Sequence, residues 1–507
     1  MKKADVIIVG GGPAGLMAAC ELALAGVDAL VLERRTERVR NSRALTLHPR
    51  SLELMAMRGI ADRFLARGQT LPTSHYANLE TRLRFDALET DYPFTLLIPQ
   101  FVTEELLEQR ARELGAAIWR GHEVTGLTQD AQAVHVHSHS RDGAMLLEAR
   151  YVIGADGARS FVRRQSGIPF PGTDTASTGI LGDIVPEEPP EHPFLSMTNK
   201  HGLLLMVPLG KETYRFAMID PLHQHLPADV PVTLEELQGG IERITGKTLR
   251  IRSTVWLSRY GDANRQAEVY RAGRVFLAGD AAHIHFPAGG QGLNVGLQDA
   301  FNLGWKLAAA LRGAKADWLL DSYHAERHEA GRQLLADTKA QGQLMTDFSE
   351  TGTALRQLVS RLLSFHDANR SIAEQVGATG IAYQPLPGTG TNPWIGRRCP
   401  NLRLVLPDGA PLTLYQLMHG GQFVLIHHPG SGSLPEDLLE SCADSHIRLI
   451  TAKIEDAGME GIEALLVRPD GHIAWVMAQR DTAAAAEDSF EGLRAWMPPA
   501  LDSGIRV

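Results

Sequence analysis

The sequence predicts a mixed α/β protein, with a parallel-sheet nucleotide-binding body, an antiparallel sheet inserted into it and a small α/β domain at the C-terminal end. Three observations predict it. The chain opens on an apolar run, a glycine-rich turn and a helical pattern; two later stretches replace helix–strand alternation with short alternating strands; and a stretch rich in proline and glycine precedes residues 391–507. At 507 residues the chain exceeds the roughly 250–300 residues that one core serves, so several lobes with separate interiors are expected.

The first element is Val6 to Val9, four apolar residues suited to a strand buried on both faces. Pro13 to Gly26 follows with Leu16, Ala19, Cys20 and Ala23 at helical spacing, and Ala29 to Leu32 reads as a second buried strand. Parallel strands need such a crossover, and its hand is right. From about Leu79 to Thr95, and again from about Thr178 to Tyr260, short runs such as Leu203 to Val207 and Tyr214 to Ile219 read as an antiparallel substrate lobe. The nucleotide-binding pattern resumes with a strand at Val275 to Ala278, a glycine-rich turn and a helix carrying Leu293, Leu297, Phe301, Gly304, Leu307 and Leu311 on one side. Asp317 to about Val376 is mostly helical, and Pro385, Pro387, Gly388, Gly390 and Pro393 form a linker. Strand candidates at Phe423 to Ile426, Ile447 to Ile450 and Leu465 to Val467 complete the chain. The expected division is therefore 1–78, 96–177 and 261–345 for the nucleotide-binding domain, 79–95 and 178–260 for the substrate domain, 346–390 for a helical segment and linker, and 391–507 for the last domain.

Composition excludes several classes of function. Hydrophobic residues at 44% and charged residues at 21% sit near globular averages, against coiled coil, collagen-like repetition or disorder. A net charge of -9 offers no concentrated basic face for nucleic acid. Cys20, Cys399 and Cys442 form no close pair, so neither a disulfide framework nor a thiolate metal cage is expected, and the chain reads as reduced and cytosolic. The apolar run after Met1, Lys2 and Lys3 stops at three glycines and Pro13, too short for a signal peptide, and no apolar run of about 18 residues suggests a membrane span. His135, His137 and His139 alternate onto one strand face, but at about 3.3 Å per residue the outer two stand about 13 Å apart, too far to share an ion held at about 2 Å. No metal is expected.

Gly10, Gly12 and Gly15 spell G-x-G-x-x-G between strand and helix. The first permits the tight turn, the second lets the backbone approach a pyrophosphate, and the third allows close packing of helix on strand. Pro13 and Ala14 open the helix, whose free N–H groups and positive dipole end suit phosphates. Glu33, at the end of the second strand, is placed to accept hydrogen bonds from an adenosine ribose, with Arg34 beside it. This Rossmann-like fingerprint does not separate NAD from FAD. Two further motifs follow apolar strands: Ile153 to Ser160, containing Asp156 and Gly157, and Arg274 to His283, containing Gly279 and Asp280.

Together the three motifs resemble the signatures of the single-component, FAD-dependent aromatic hydroxylases related to para-hydroxybenzoate hydroxylase, over roughly residues 4–330. The resemblance implies that Asp280 binds the ribityl chain of FAD and that Asp156 and Gly157 serve FAD and a transient NAD(P)H. Each dipeptide alone is more often a plain turn or helix cap. Pro287 to Asn294 adds three glycines in four positions before a helix, letting backbone lie against a flat ring while N-terminal donors meet the pyrimidine side of a flavin. By resemblance Gly292, Leu293 and Asn294 contact the isoalloxazine, Gly290 belongs to the cofactor-binding set, Pro287 shapes the oxygen-reaction site, Arg43 and Gln100 lie along the FAD, and Pro287 and Arg43 are the catalytic candidates. His283 and His285 flank this loop without identifying a base.

Within the family, the segment Arg43 to Ser51, Trp256 to Tyr260, His283 to Gly290 and Arg468 to Trp475 resemble hydroxylases of aromatic polyketides and related antibiotics of the tetracycline, angucycline and rifamycin type. The implied reaction is NAD(P)H reduction of tightly but non-covalently bound FAD, addition of O2 to give a flavin C4a-hydroperoxide, and hydroxylation of an aromatic or polycyclic substrate. Leu204, Met206, Phe216 and Met218 are alternating candidates for an apolar substrate wall, although plain sheet core is the more frequent role for each singly. The last domain resembles the thioredoxin-like tail of phenol hydroxylase relatives; lacking Cys-x-x-Cys, it is expected to be structural or to support a dimer, in a monomeric or homodimeric protein. Baeyer–Villiger insertion or epoxidation on a similar substrate, and FAD or drug sequestration without turnover, are the alternatives.

Overall fold

The computed structural model describes residues 2–39, 41, 44–313, 316–386, 389–430, 447–456, 458–478 and 490–496. The central sheet places Lys2–Val9 between Ala29–Glu33 and Gly143–Gly154, all parallel, and Gly143–Gly154 in turn pairs in parallel with Val275–Leu277. Register decides the function of this arrangement. Val9 lies beside Gly154, and Gly154 beside Leu277, so the turns after three sequence-distant strands emerge side by side at their C-terminal ends. Open α/β sheets bind ligands at that edge.

The helices Pro13–Leu24 and Gly292–Leu311 pack on one another against this sheet, close enough that a Cβ on Gly304 would press on Glu21. Gly292–Leu311 is buried on nearly every face, although it carries Asp299, Asn302 and Lys306.

A five-stranded antiparallel sheet runs in the order Leu195–Asn199, Gly202–Pro208, Tyr214–Ile219, Thr178–Pro186 and Ile251–Gly261. One face is covered by the amphipathic helix Leu234–Thr245, which Thr233 caps by accepting the Glu236 N–H at 3.1 Å and Gly246 ends in a left-handed conformation. The stretch 79–95, expected to add strands to this sheet, adds none. Leu83–Arg84 pairs with Thr73–Ser74 as a separate hairpin, and Leu79, Leu83, Phe85 and Leu88 are wedged among Leu203, Ile219, Phe286 and Ala288. Burial of these side chains between the lobes, rather than a ladder, holds the segment.

In the last domain Phe423–His427 pairs in parallel with Ile447–Thr451 and antiparallel with Ile462–Val467, which pairs with Ile473–Ala478. This is a thioredoxin-like sheet around fully buried Trp475. Cys20 and Cys399 are free and buried, and burial pushes both thiols up, out of the reactive range. Cys442 lies outside the described residues. Val134 and Val136 are buried while His137 and His139 are exposed on the strand Val134–Ser140. Among the described residues no helix is long and apolar enough to cross a membrane.

Candidate active site

The first turn has the shape its glycines require. A Cβ on Gly10, which has φ +110°, would overlap the Ala155 carbonyl, and one on Gly15 would overlap the Gly10 carbonyl. Gly12 is different, with nothing within 4 Å of where a Cβ would stand. The open space lies at the N-terminus of Pro13–Leu24, beside half-buried Pro13 and Ala14, where helix amides lack intrahelical partners. Glu33 is fixed beside the turn: its carboxylate accepts the Gly11 N–H at 2.7 Å and the Arg35 N–H at 2.9 Å. Arg34 is exposed.

At the next strand end, Asp156 accepts the Phe161 and Val162 N–H groups at 2.6 and 3.1 Å through Oδ2, capping the helix Phe161–Gln165. Its Oδ1 is buried without a partner among the described residues, an acceptor that a bound donor would satisfy. Gly157 takes φ +82° just after it. Gly279 packs against Ala14 and Gly296, and exposed Asp280 follows it at the third strand end, beside the first two turns. The three turns thus leave a trough bounded by free amides, Glu33 and Asp280, which fits a pyrophosphate flanked by two hydroxyl-rich sugars.

The glycine loop continues that trough. Pro287 is exposed, Ala288 and Gly289 are buried, and Gly290 and Gly292 are partly open beside half-buried Leu293. Asn294 is buried and staples the loop: its Nδ2 donates to the carbonyls of Gly290 and Thr46 at 2.9 and 3.0 Å, and its Oδ1 accepts from the His48 N–H and Ser51 hydroxyl at 2.8 and 2.7 Å. All the hydrogen-bonding capacity of its side chain is used by protein, so the side chain holds the loop's shape. His48 Nε2 donates to the Gly289 carbonyl at 2.7 Å, and burial pushes this histidine down to about 4. Gln100 Oε1 accepts the Ala44 N–H at 3.3 Å and so holds the same segment from below. Arg43 lies outside the described residues. Asp280→Ala is expected to lower FAD content on purification, because ribityl hydroxyls lose a charged acceptor; full flavin content in the variant would contradict this placement.

The residues expected to form an apolar substrate wall face the covering helix of the sheet. Leu204, Met206, Phe216 and Met218 pack with Leu237, Ile241 and Ile244 of the covering helix. Alternation in the strands is as read, but that helix claims the even-numbered residues. The odd-numbered face carries Leu203, Leu205, Ala217 and Ile219, of which Leu203 and Ile219 share a cluster with Phe286 and Ala288 of the glycine loop. Half-buried Tyr260 joins them, its ring 6.0 Å from Phe286.

Asp337 was not legible as a site residue. It accepts from Tyr76 Oη at 3.0 Å, Gln291 Nε2 at 3.1 Å and Gln341 Nε2 at 2.8 Å, while Gln341 Oε1 accepts the Ala77 N–H at 3.0 Å. The 73–84 hairpin, with Ala77 and Asn78 in left-handed conformations, is thereby tied to the glycine loop. Its only signal in the sequence is a pair of polar residues one helical turn apart.

Comparison with known proteins assigns this architecture. Residues 3–338 match the FAD binding domain family, and residues 392–500 match the family described as aromatic-ring hydroxylase, C-terminal. The chain belongs to the FAD-dependent aromatic-ring hydroxylases. The hydroxylase is 47% identical over 480 residues, 94% of this chain and 95% of the relative, to a Bacillus subtilis (strain 168) protein described as an uncharacterized aromatic compound monooxygenase, YhjG. It is 42% identical to a rifampicin monooxygenase of Streptomyces venezuelae, over 93% of this chain and 95% of that one. Among solved structures, the OxyS anhydrotetracycline hydroxylase from Streptomyces rimosus superposes with a TM-score of 0.89 at 39% identity, over 98% of this chain and 99% of that one. FAD as cofactor, NAD(P)H and O2 as co-substrates and a monooxygenase reaction, all expected from the motifs, are those of this family.

Proposed function

We propose that this monooxygenase hydroxylates a polycyclic aromatic small molecule of the polyketide or antibiotic kind, as a cytoplasmic monomer or homodimer with NAD(P)H visiting transiently. The observation that carries the substrate class is the apolar sheet face of Leu203, Leu205, Ala217 and Ile219, of which Leu203 and Ile219 share one cluster with the loop residues Phe286 and Ala288. A broad, flat, apolar wall opposite a flat ring site suits a planar fused-ring substrate. Its polar end is Asp183, which pairs with Arg215 and accepts from Trp256 Nε1 at 2.7 Å on that same odd-numbered face.

FAD, when bound, would supply the redox chemistry: two electrons from NAD(P)H and one dioxygen give the oxygenated product, and the second oxygen atom leaves as water. The chain's own residues hold and enclose. Gly12 and the helix amides would receive the pyrophosphate, Glu33 the adenosine ribose and Asp280 the ribityl hydroxyls. The N-terminus of Gly292–Leu311, with the N–H groups of Gly292 and Leu293, would hold the flavin ring and favour negative charge on it. Pro287, beside the buried Ala288–Gly289 turn, shapes the space above the ring. The Tyr76–Asp337–Gln291 link keeps the hairpin seated and water out.

The test is a panel of tetracyclic, angular and ansa-type aromatics together with simple phenols, scored by acceleration of flavin reduction and by oxygen uptake. Faster reduction with a fused-ring member and a hydroxylated product by NMR is the expected result. Acceleration by simple phenols alone would overturn the substrate class, and a ring-expanded ester would identify insertion instead of hydroxylation. The sheet faces are expected to respond differently. Ala217→Phe should raise KM for a fused-ring substrate at least tenfold with FAD affinity unchanged, since a ring would stand where half-buried Ala217 presents only a methyl group. Met218→Ala should cost about 2–4 kcal/mol in denaturant stability with KM little changed; the reverse pattern would restore the even-numbered face as the wall.

A further inference from the structure

The Gly279–Asp280 turn is braced from behind by a buried chain of charged and aromatic groups that the cofactor reading does not require. Asp299, fully buried in Gly292–Leu311, accepts the Gly279 N–H at 3.0 Å and His283 Nε2 at 2.7 Å through Oδ2. These two contacts bracket Asp280 on both sides in sequence. Oδ1 accepts Arg327 Nε at 2.8 Å, and Arg327 Nη1 donates to Tyr383 Oη at 3.0 Å. Burial would raise the Asp299 carboxyl, but Arg327 and His283 outweigh it and hold the group below the usual carboxylate range. Tyr383 precedes the last domain and lies against its His472, with ring centroids 4.2 Å apart. Beyond it Asp470 accepts from Arg468, from Asn302 Nδ2 at 3.1 Å and from Trp305 Nε1 at 3.0 Å, the last two on the same helix as Asp299.

We propose that Asp299 and Arg327 are positioning residues for the FAD-binding Gly279–Asp280 turn, and that Tyr383 couples them to the thioredoxin-like domain, so that docking of this domain and retention of flavin reinforce one another. The inference rests on FAD occupying the trough. From Asp299 to Tyr383 the links are hydrogen bonds among groups that cannot reach water, and Tyr383 meets His472 through its ring, so removing one partner leaves a buried polar group unsatisfied at the other. Coupling of this kind is reciprocal: whatever the domain adds to FAD affinity, FAD adds to docking of the domain.

Tyr383→Phe removes one hydroxyl and keeps the ring, so the fold is retained. FAD titration of the apoprotein by flavin fluorescence is expected to give a Kd raised about threefold to tenfold. Hydrogen exchange supplies the reciprocal readout. Adding FAD to the wild-type apoprotein should increase amide protection in Ile462–Val467 and Ile473–Ala478, and Tyr383→Phe should abolish most of that increase. Arg398→Lys, which loosens the same domain at its separate contact with Glu53, is expected to reduce protection without changing the FAD-dependent increment. An unchanged Kd in Tyr383→Phe, or an equal increment in both proteins, would overturn the coupling while leaving the cofactor assignment intact. A wild-type protein that takes up no FAD would sink that assignment and the coupling with it.

Discussion

A Gly12→Glu variant is expected to purify folded and colourless. In the protein a Cβ at position 12 meets nothing within 4 Å, and the residue's φ of -82° is open to any L-amino acid. The longer side chain therefore costs the fold little. It does, however, place a carboxylate at the helix N-terminus where the pyrophosphate must lie, so bulk and like charge both oppose the cofactor. Affinity for FAD should fall by a factor of 100 or more, roughly 3 kcal/mol, while the circular dichroism and denaturant midpoint stay near wild type. Gly15→Ala serves as the contrast, because its Cβ would overlap the Gly10 carbonyl and should damage folding and flavin content together. A yellow Gly12→Glu protein with normal flavin stoichiometry would remove the phosphate turn from the site.

That contrast between two glycines of one motif was legible from spacing alone, since the strand and helix around them follow from local periodicity. Val6 to Val9 and Gly292 to Leu311 were legible for the same reason. The phase of the antiparallel sheet was not. Leu203, Leu205, Ala217 and Ile219 alternate with Leu204, Met206, Phe216 and Met218, and both sets are apolar because one faces a covering helix while Leu203 and Ile219 of the other pack with the 79–88 segment and the glycine loop. With two apolar faces, period-two alternation cannot say which is which. The 79–95 segment failed differently: its apolar residues are buried by neighbouring lobes, which mimics the pattern of a sheet strand. Asp299, Asn302 and Lys306 did leave a signal, as polar residues on a helix with no polar face to put them on. Their partners Arg327, Glu326 and Asp470 stand far along the chain, and no spacing rule joins them.

The same buried groups make stability steeply dependent on acid. Burial lowers His48 and His472 from 6.5 to about 4, although the Gly289 carbonyl and Asp470 respectively pull the other way. Both side chains are almost completely inaccessible. Between those values the unfolded chain binds protons that the folded one refuses, so stability is constant above about pH 6.5 and falls as pH drops toward 4, by about 3 kcal/mol for each histidine at full effect. Carboxylates extend the loss further down. Burial would raise Glu326, but Arg468 and Lys306 hold it at about 2, and Asp470 is likewise held well below its usual range, chiefly by Arg468. Their contribution is complete above about pH 4.5 and disappears as pH falls through about 2. Urea denaturation of the FAD-loaded protein at half-unit steps is expected to show a plateau from pH 8 to about 6.5, then a decline of several kcal/mol by about pH 4.5. His48→Gln should flatten part of that decline, because a glutamine can still donate to the Gly289 carbonyl without a charge to gain. A midpoint that does not move between pH 7 and 4.5 would mean that these histidines already bind protons in the folded state, and that the seal around the glycine loop is wetter than its geometry indicates.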